Sequence, residues 1–432
     1  MMTNNIYSNS SYTKEKHNVN NIRIVHHPET VPIGTKNIND SNSIPFHEYL
    51  AHTCPSLFEV EAHYTPTPYL RSEHLQTIYS SLFDRKTTRN DITYERQILE
   101  FVNGGVASLD WAVPVIDLPE NTPTLVILHG LTGGSHENYI RGLLQILTRP
   151  PINYRAVVYN ARGCGFTNVN TPQLFNASIT DDIREALRHI QTQVGENTPL
   201  IGIGFSLGSN ILVKYLGEEK EKAPLIAAVS VANPFDLLSS GKVLDQGFFT
   251  RNVYSNRMAS NLKRVFLRNK DIMLTCKGID IDEVLAAKTI REYDDACTKK
   301  MSNYTTVDNY YRDGSCARLI EHVRIPLLCI NALDDPIALA RCIPVDKIKI
   351  NPYIILAATK YGGHLGWFEY FYRPCRWVDK PISEFVVAMF QANDTRQEAK
   401  KLDTDIVVRS AKAIRKARFP PLAAVIPPMM KR

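Results

Sequence analysis

The chain has 432 residues, of which 44% are hydrophobic and 22% are charged, and its net charge is +6. This composition is typical of a globular enzyme and argues against a low-complexity or fibrous chain. Residues 396–432 contain ten Lys or Arg against three Asp or Glu, a local excess of +7 that leaves −1 for the rest. A basic tail on a near-neutral body argues against a nucleic-acid-binding surface.

The eight cysteines favour an intracellular, reducing location. None forms a C-x-x-C pair and several lie in apolar runs, so we predict free buried thiols and neither disulfides nor a zinc site. The N-terminus has no apolar signal segment, and the longest apolar uncharged run, residues 199–213, is too short to span a bilayer. We therefore expect a cytoplasmic protein without a transmembrane helix, a metal or a cofactor.

In chain order, the first predicted segment is a disordered leader. Residues 1–44 are rich in Asn and Ser and show no periodicity, and order is expected to begin near Ile44. A hairpin follows at residues 94–113, where the apolar pattern alternates. The remaining predicted strands are residues 124–128, 155–159, 200–204, 225–231, 326–331 and 353–357, and the predicted helices are residues 138–147, 179–194, 207–216 and 382–391.

Apolar strands that alternate with helices predict an α/β fold with a mostly parallel sheet covered on both faces. About ninety residues separate the strands at 225–231 and 326–331, and their helical patches predict an inserted helical cap over the carboxyl edge of the sheet. The predicted domains are a leader (1–44), the first part of the core (45–235), the cap (236–325), the second part of the core (326–395) and a basic tail (396–432).

The strongest motif is Gly204-Phe-Ser206-Leu-Gly208, which lies between a predicted strand and a predicted helix. This setting is typical of the nucleophile elbow of the α/β-hydrolase fold, where a sharp turn exposes the serine hydroxyl above the sheet. The alternative is a Gly-rich turn without chemistry. A dinucleotide site is rejected because Leu207 stands where the third glycine is required. We predict that Ser206 is the nucleophile of a serine hydrolase.

A serine nucleophile requires a general base and an acid that orients the base. His364 follows the last predicted strand in a Gly-rich loop, at the position expected for the base. Asp335 is favoured as the acid because it directly precedes a proline at the end of the strand at 326–331, and Asp334 is the alternative. Asp236, after the preceding strand, is a less favoured candidate.

The segment that starts at His129 follows the first parallel strand, where α/β-hydrolases place one oxyanion donor. We assign the two backbone N–H donors to Leu131 and to Leu207, the residue after the nucleophile. His129 is predicted to hydrogen-bond beneath the loop, and Arg162 to make a structural ion pair. A phosphate-binding loop is disfavoured because no Gly-Lys-Ser/Thr sequence follows.

Six motifs in order resemble the AB hydrolase-4 family. That family includes fungal medium-chain fatty acid ethyl ester synthase/esterases and membrane-linked monoacylglycerol and phospholipid hydrolases of animals. The likeness covers roughly residues 46–390, and its markers are Tyr69-Leu-Arg-Ser-Glu-His-Leu-Gln-Thr-Ile, His129-Gly-Leu-Thr-Gly-Gly-Ser-His-Glu, Tyr159-Asn-Ala-Arg-Gly-Cys-Gly, Gly204-Phe-Ser-Leu-Gly-Ser-Asn, Asn331-Ala-Leu-Asp-Asp-Pro and Gly362-Gly-His-Leu-Gly-Trp.

The resemblance places the family's triad at Ser206, Asp335 and His364. It implies a carboxylesterase or lipase of lipid metabolism that acts on medium-chain acyl esters such as fatty acid ethyl esters and monoacylglycerols, with acyltransferase activity toward alcohols. Two features depart from the family. The membrane helix of the animal members is absent from this sequence, and no histidine is followed by an aspartate five residues later, as an H-x-x-x-x-D acyltransferase motif requires.

The expected partner is a small acyl ester, bound in an apolar pocket formed by cap aromatics. These are Phe248, Phe249, Tyr254, Tyr310 and Tyr311. The alternative is that they are ordinary core residues of the cap. The basic tail is either a helix lying on a membrane or lipid-droplet surface or a solvated end. The alternative to an enzyme is a catalytically silent interaction protein that keeps the hydrolase fold.

Overall fold

The computed structural model describes residues 22–33, 44–82 and 92–397. The strands, numbered along the chain, are β1 (Ile22–His26), β2 (Pro32–Ile33), β3 (Ile44–Pro45), β4 (Tyr94–Glu100), β5 (Val106–Ala112), β6 (Thr124–Leu128), β7 (Arg155–Asn160), β8 (Leu200–Phe205), β9 (Leu225–Val231), β10 (Leu327–Ala332), β11 (Ile354–Thr359), β12 (Phe368–Glu369) and β13 (Cys375–Arg376).

Helices connect most of these strands. They are α1 (Phe46–Thr53), α2 (Pro55–Phe58), α3 (Glu73–Leu82), α4 (Asn138–Leu147), α5 (Asp181–Val194), α6 (Leu207–Glu219), α7 (Leu237–Gln246), α8 (Asn256–Arg268), α9 (Lys270–Met273), α10 (Ile281–Ala286), α11 (Ile290–Tyr293), α12 (Lys299–Met301), α13 (Val307–Gly314), α14 (Val345–Ile350) and α15 (379–397). Two π-helical segments, Thr250–Ser255 and Asp294–Thr298, lie next to α8 and α11.

Nine of the described strands form one sheet in the order β1-β11-β10-β9-β8-β6-β7-β5-β4. All neighbouring pairs between β11 and β7 are parallel, whereas β1, β5 and β4 pair antiparallel at the edges. Strands such as β6 and β8 are buried along their whole length because helices cover both faces. The predicted mostly parallel sheet is confirmed.

The sheet has an apolar core on each face. On one face, buried side chains of the sheet pack against α1, α4 and α15. On the other face, they pack against α5, α6 and α14. Helix α5 begins with Asp181 and Asp182, acids that the positive end of a helix dipole favours. This arrangement is the α/β-hydrolase layering predicted from the sequence.

The segment between β9 and β10 is helical wherever it forms regular structure. It runs from α7 to α13 and has its own apolar cluster, which includes Leu262, Phe266 and Met273. A second cluster, around Tyr310 and Tyr311, packs against Leu207 at the start of α6. The insertion is therefore attached to the core close to the predicted nucleophile. The domain boundaries given above stay predictions.

The N-terminal segment differs from the prediction of a disordered leader. Ile22–His26 forms β1, which pairs antiparallel with β11, so order does not begin at Ile44. Ile22 is buried in the core on one face of the sheet and Val25 in the core on the other. The strand forms because it covers the edge of β11 and buries these side chains, neither of which is a local property of the sequence.

Helix α15 extends further than predicted, since residues 379–397 are helical and run past the proposed tail boundary at 395. The rest of the basic tail, residues 398–432, lies outside the described residues, as do residues 1–21 of the leader. Of the helices that the structure describes, none is both long enough and apolar enough to cross a bilayer.

Candidate active site

Ser206 occupies a sharp turn between β8 and α6. Its φ of 50° and ψ of −121° are unusual for a residue with a side chain and cost about 1–3 kcal/mol. Its backbone N–H donates to Val231 O of the adjacent strand at 2.9 Å, which fixes the turn against the sheet. The turn holds the Ser206 hydroxyl at the carboxyl edge of the parallel strands.

Gly208 lets α6 start directly against the loop after β6. A Cβ added to Gly208 would lie 2.4 Å from His129 O and 2.6 Å from Leu128 O, both fixed backbone atoms. We therefore expect Gly208→Ala to destabilise the fold by about 1–3 kcal/mol through overpacking and to lower reactivity at Ser206. Thermal unfolding and labelling by a fluorophosphonate measure the two effects.

Gly142→Ala is the matched control for this substitution. Gly142 lies inside α4, and its added Cβ would make an ordinary contact, 3.6 Å from Asp379 Oδ2. The control should be neutral or stabilised by up to about 1 kcal/mol, because alanine is the better helix former. Equal melting temperatures for the two variants would contradict the close approach at Gly208.

The structure brings Ser206, His364 and Asp335 together. Ser206 Oγ lies 2.8 Å from His364 Nε2, and His364 Nδ1 lies 2.8 Å from Asp335 Oδ2. Asp335 is buried, and its second oxygen accepts from the backbone N–H groups of Ile337 and Ala338, each at 2.8 Å. With a carboxylate at Asp335, Nδ1–H donates to it and Nε2 is left to accept from the serine hydroxyl.

The two alternative acids contact other groups. Asp334 Oδ1 accepts from the backbone N–H of Gly363 at 2.9 Å, and burial raises the pKa of Asp334 to about 6. Asp236 caps α7 by accepting from Ser239 N at 3.0 Å and from its hydroxyl at 2.7 Å. Of the three acids considered from the sequence, Asp335 is the one that contacts the imidazole.

Helix α3 supports the loop that carries His364, a role the sequence analysis missed. Thr77 Oγ1 accepts from His364 N at 2.9 Å, and Gln76 Oε1 accepts from Phe368 N at the same distance. Gly363 has a φ of +56°, and its added Cβ would lie 2.6 Å from Glu73 O. Thr77 and Gln76 belong to the family motif that begins at Tyr69, which is the feature of the sequence that indicates this supporting role.

Leu131 and Leu207, the predicted oxyanion donors, line one cavity together with Ser206. Leu207 is the first residue of α6, so its N–H has no acceptor inside the helix. Beneath the loop, His129 Nδ1–H donates to Gly130 O at 2.6 Å and Nε2 accepts from Ala161 N at 3.1 Å. Burial lowers the pKa of His129 to about 4, so the ring is neutral at physiological pH.

Arg162 is buried and paired away from the serine. Its Nε and Nη2 bind the two carboxylate oxygens of Asp182 at 2.6 and 2.7 Å. Nη2 also donates to Asn103 Oδ1 at 2.9 Å. The guanidinium thus joins α5 to the loops after β4 and β7, which is the structural pairing predicted for it.

The cavity beside Ser206 lies between the core and the insertion and comprises about 700 Å³, a volume that includes open solvent. Its wall is mainly apolar, with leucines 237, 244 and 262 among its members. Tyr310 and Tyr311 line it as predicted. Phe248, Phe249 and Tyr254 are not among its lining residues. The two phenylalanines are 86% and 43% exposed, and Tyr254 packs against His74 of α3. The predicted aromatic pocket is therefore mostly an aliphatic one.

We searched the described residues for side chains that could bind a metal ion. No group of three or more His, Cys, Asp or Glu side chains among them is arranged to hold a metal ion.

Comparisons with known proteins agree with the fold. The family description "alpha/beta hydrolase fold" matches residues 123–262. Embryogenesis-associated protein EMB8 of Picea glauca is 35% identical, over 75% of this chain and 72% of its own length. Monoacylglycerol lipase of Saccharomyces cerevisiae is 32% identical, over 85% and 90%. Medium-chain fatty acid ethyl ester synthase/esterase 2 of the same yeast is 28% identical, over 80% and 90%.

Proposed function

Because this chain belongs to the α/β-hydrolase family, we propose that it is a serine esterase that hydrolyses medium-chain acyl esters. The observation that carries the proposal is the continuous hydrogen-bonded chain from Ser206 through His364 to Asp335, placed at the wall of an apolar cavity. Relatives named as a monoacylglycerol lipase and an ethyl ester synthase/esterase support an ester as the substrate.

The reaction begins when Ser206 Oγ attacks the ester carbonyl carbon and its proton passes to His364 Nε2. Asp335 accepts from Nδ1–H and stabilises the imidazolium that forms. The carbonyl oxygen becomes an oxyanion, which the N–H groups of Leu131 and Leu207 stabilise. When the intermediate collapses, His364 gives its proton to the departing alcohol and the acyl group remains on Ser206.

The same residues then release the acyl group from Ser206. Water attacks the acyl carbonyl, His364 takes its proton, and Ser206 Oγ leaves with that proton as the free acid forms. An alcohol that replaces water at this step yields a new ester. We therefore propose acyl transfer to alcohols as a second outcome of the same intermediate, without an H-x-x-x-x-D motif.

The lining of the cavity favours an aliphatic acyl chain. This lining is mostly apolar with a few polar groups, as is typical of small-ligand sites. Each buried methylene contributes about 0.8 kcal/mol, so the aliphatic wall favours longer chains until the cavity is filled. We propose that this space takes the acyl group, because Ser206 and both proposed oxyanion donors line it.

A panel of ethyl esters from butanoate to hexadecanoate tests the substrate class. We expect kcat/KM to peak at medium chain lengths. When an activated ester is the substrate and ethanol is added, we expect part of the acyl group to appear as ethyl ester instead of free acid. An optimum at the shortest or longest chains would contradict the medium-chain assignment. Lack of hydrolysis across the panel would favour the alternative, an interaction protein without turnover.

Leu244→Trp links the panel to the cavity. Leu244 is buried and lines it, so a tryptophan there should lower kcat/KM for the decanoate by about tenfold or more and for the butanoate much less. Leu267→Trp, at an exposed position of α8, is the matched control and should leave the profile unchanged. An equal loss for both esters in Leu244→Trp would show that the acyl chain lies elsewhere.

An intracellular location is also part of the proposal. All eight cysteines are free thiols, and six of them are buried. Unpaired thiols are typical of proteins in reducing compartments. Contact of the basic tail with a membrane or lipid-droplet surface is a further prediction, made from the sequence alone.

A further inference from the structure

One carboxyl group lies in the wall of the otherwise mainly aliphatic cavity. Asp294, the first residue of the π-helical segment after α11, is 4% exposed and lines the cavity together with Ser206. Tyr311 of α13 also lines it and donates its hydroxyl to Asp294 Oδ2 at 2.7 Å. Neither residue has a part in the acyl-transfer steps described above.

The pair is held in place from two sides. On the side of α7, the ring of Tyr311 lies against Gly241, where an added Cβ would approach Tyr311 Cε2 to 2.9 Å. On the side of the core, Tyr310 Oη accepts from the backbone N–H of Ala177 at 3.1 Å and anchors α13. Leu207, the residue after Ser206, packs against the cluster that contains both tyrosines, so the partner of Asp294 adjoins the nucleophile elbow.

Asp294 retains capacity to accept a hydrogen bond. Burial raises its pKa to about 6, so the group is mostly a carboxylate at pH 7.5. A carboxylate has about four acceptor positions, and the hydroxyls of Tyr311 and Thr298 use two of them. A buried carboxylate is costly unless further donors reach it. A substrate in the cavity can supply such a donor.

We propose that Asp294 and Tyr311 form a hydroxyl-binding subsite, which selects acyl esters that carry a hydroxyl group. This inference rests on the proposed esterase function. The carboxylate accepts from the substrate hydroxyl, whereas an anionic group such as a free carboxylate or phosphate would be repelled. The hydroxyl belongs either to the acyl chain or to the alcohol part of the ester, as in a monoacylglycerol.

Two pairs of substrates distinguish these sources. The ethyl ester of ω-hydroxydecanoate is compared with ethyl decanoate, and the comparison is repeated at neighbouring chain lengths because the reach to Asp294 selects one length. Monodecanoylglycerol is compared with ethyl decanoate for a hydroxyl on the alcohol. A hydrogen bond to a charged group contributes about 1.5–3 kcal/mol, so the hydroxylated member of one pair should have a kcat/KM roughly ten- to a hundredfold higher.

Asp294→Asn replaces the charged acceptor with a neutral amide and should reduce this preference toward unity. Asp313→Asn is the matched control, because Asp313 Oδ2 accepts the same kind of bond, from Tyr304 Oη at 2.6 Å, and neither residue lines the cavity. A merely structural role would lower turnover of both members of a pair and leave their ratio unchanged. An unchanged ratio in Asp294→Asn, or no preference in the wild type in either pair, would overturn the subsite.

A binding measurement separates this inference from the proposed function. In Ser206→Ala, decanediol should raise the melting temperature more than decanol, or decyl glyceryl ether more than decyl ethyl ether. That difference should disappear when Asp294→Asn is added. A difference without any ester turnover in the wild type would retain the subsite and reject the esterase. Ester turnover by the wild type with no difference in either pair would retain the esterase and reject the subsite.

Discussion

Ser206→Ala is expected to lower kcat for ester hydrolysis by about 10⁴- to 10⁶-fold and to abolish covalent labelling by a fluorophosphonate. The reason is that the attacking oxygen is removed while the groups around it remain. Among the contacts described, Ser206 Oγ is the hydroxyl that bonds His364 Nε2. Removing it leaves the base without a nucleophile to activate.

Ser240→Ala is the matched control, since Ser240 lines the same cavity but its hydroxyl contacts Pro234 O and the sulfur of Cys342. It should retain the label and most of the turnover. Mass spectrometry of the labelled peptide locates the modified residue. Labelling of Ser206→Ala at the wild-type rate would reject Ser206 as the nucleophile.

Asp335→Asn is expected to reduce kcat by about 10⁴-fold while the fold is retained. Asp335 bonds the imidazole through Oδ2 and two backbone N–H groups through Oδ1. An amide can satisfy the backbone groups with its oxygen, but it then presents N–H to Nδ1. The proton moves to Nε2, which can no longer accept from Ser206. Steady-state kinetics at a pH above neutrality measure the loss.

Asp334→Asn is the matched control on the neighbouring carboxyl. Its amide oxygen can still accept from Gly363, so we expect kcat within about tenfold of the wild type. Burial raises the pKa of Asp334 to about 6 in the folded state, so the fold favours the protonated carboxyl. The wild type is therefore most stable below the pKa of Asp334 in the unfolded chain, and it loses stability as the pH rises through 6 and the carboxyl ionises. The variant should therefore gain melting temperature over the wild type at pH 8 and not near pH 4. Equal losses of kcat in the two variants would reject Asp335 as the orienting acid.

The regular elements of the core could be predicted because their signals are local. β6, β8 and β9 are continuous apolar runs, which helices bury on both faces of the sheet. The observed bounds of α4 are the predicted ones. The position of Ser206 followed from glycines that a close turn requires. In an α/β-hydrolase the carboxyl ends of parallel strands share one edge, which is why Asp335 and His364 could be paired with it from their strands alone.

Features that depend on distant contacts could not be predicted. β1 is a five-residue strand in a polar part of the sequence, and it is stabilised by β11, which is its neighbour in the sheet but more than 300 residues away along the chain. The choice between Asp334 and Asp335 depends on side-chain direction at the end of β10, and adjacent residues there point to different partners. Asp294 lies in the insertion, where periodicity indicates helices but not which face meets the cavity.

The pairing of β1 with β11 has a consequence for how the chain reaches its final structure. β1 leaves the ribosome before the other strands of the sheet, yet Ile22 pairs with Thr359, which is synthesised after almost all of them. β1 therefore has no strand to pair with until β11 has been synthesised. Pairing between strands so far apart along the chain slows folding. The loop that carries His364 follows β11 directly. We therefore expect the catalytic edge to be completed at the same late stage of folding at which β1 closes the sheet, and the edge of β11 to be open to other chains until then.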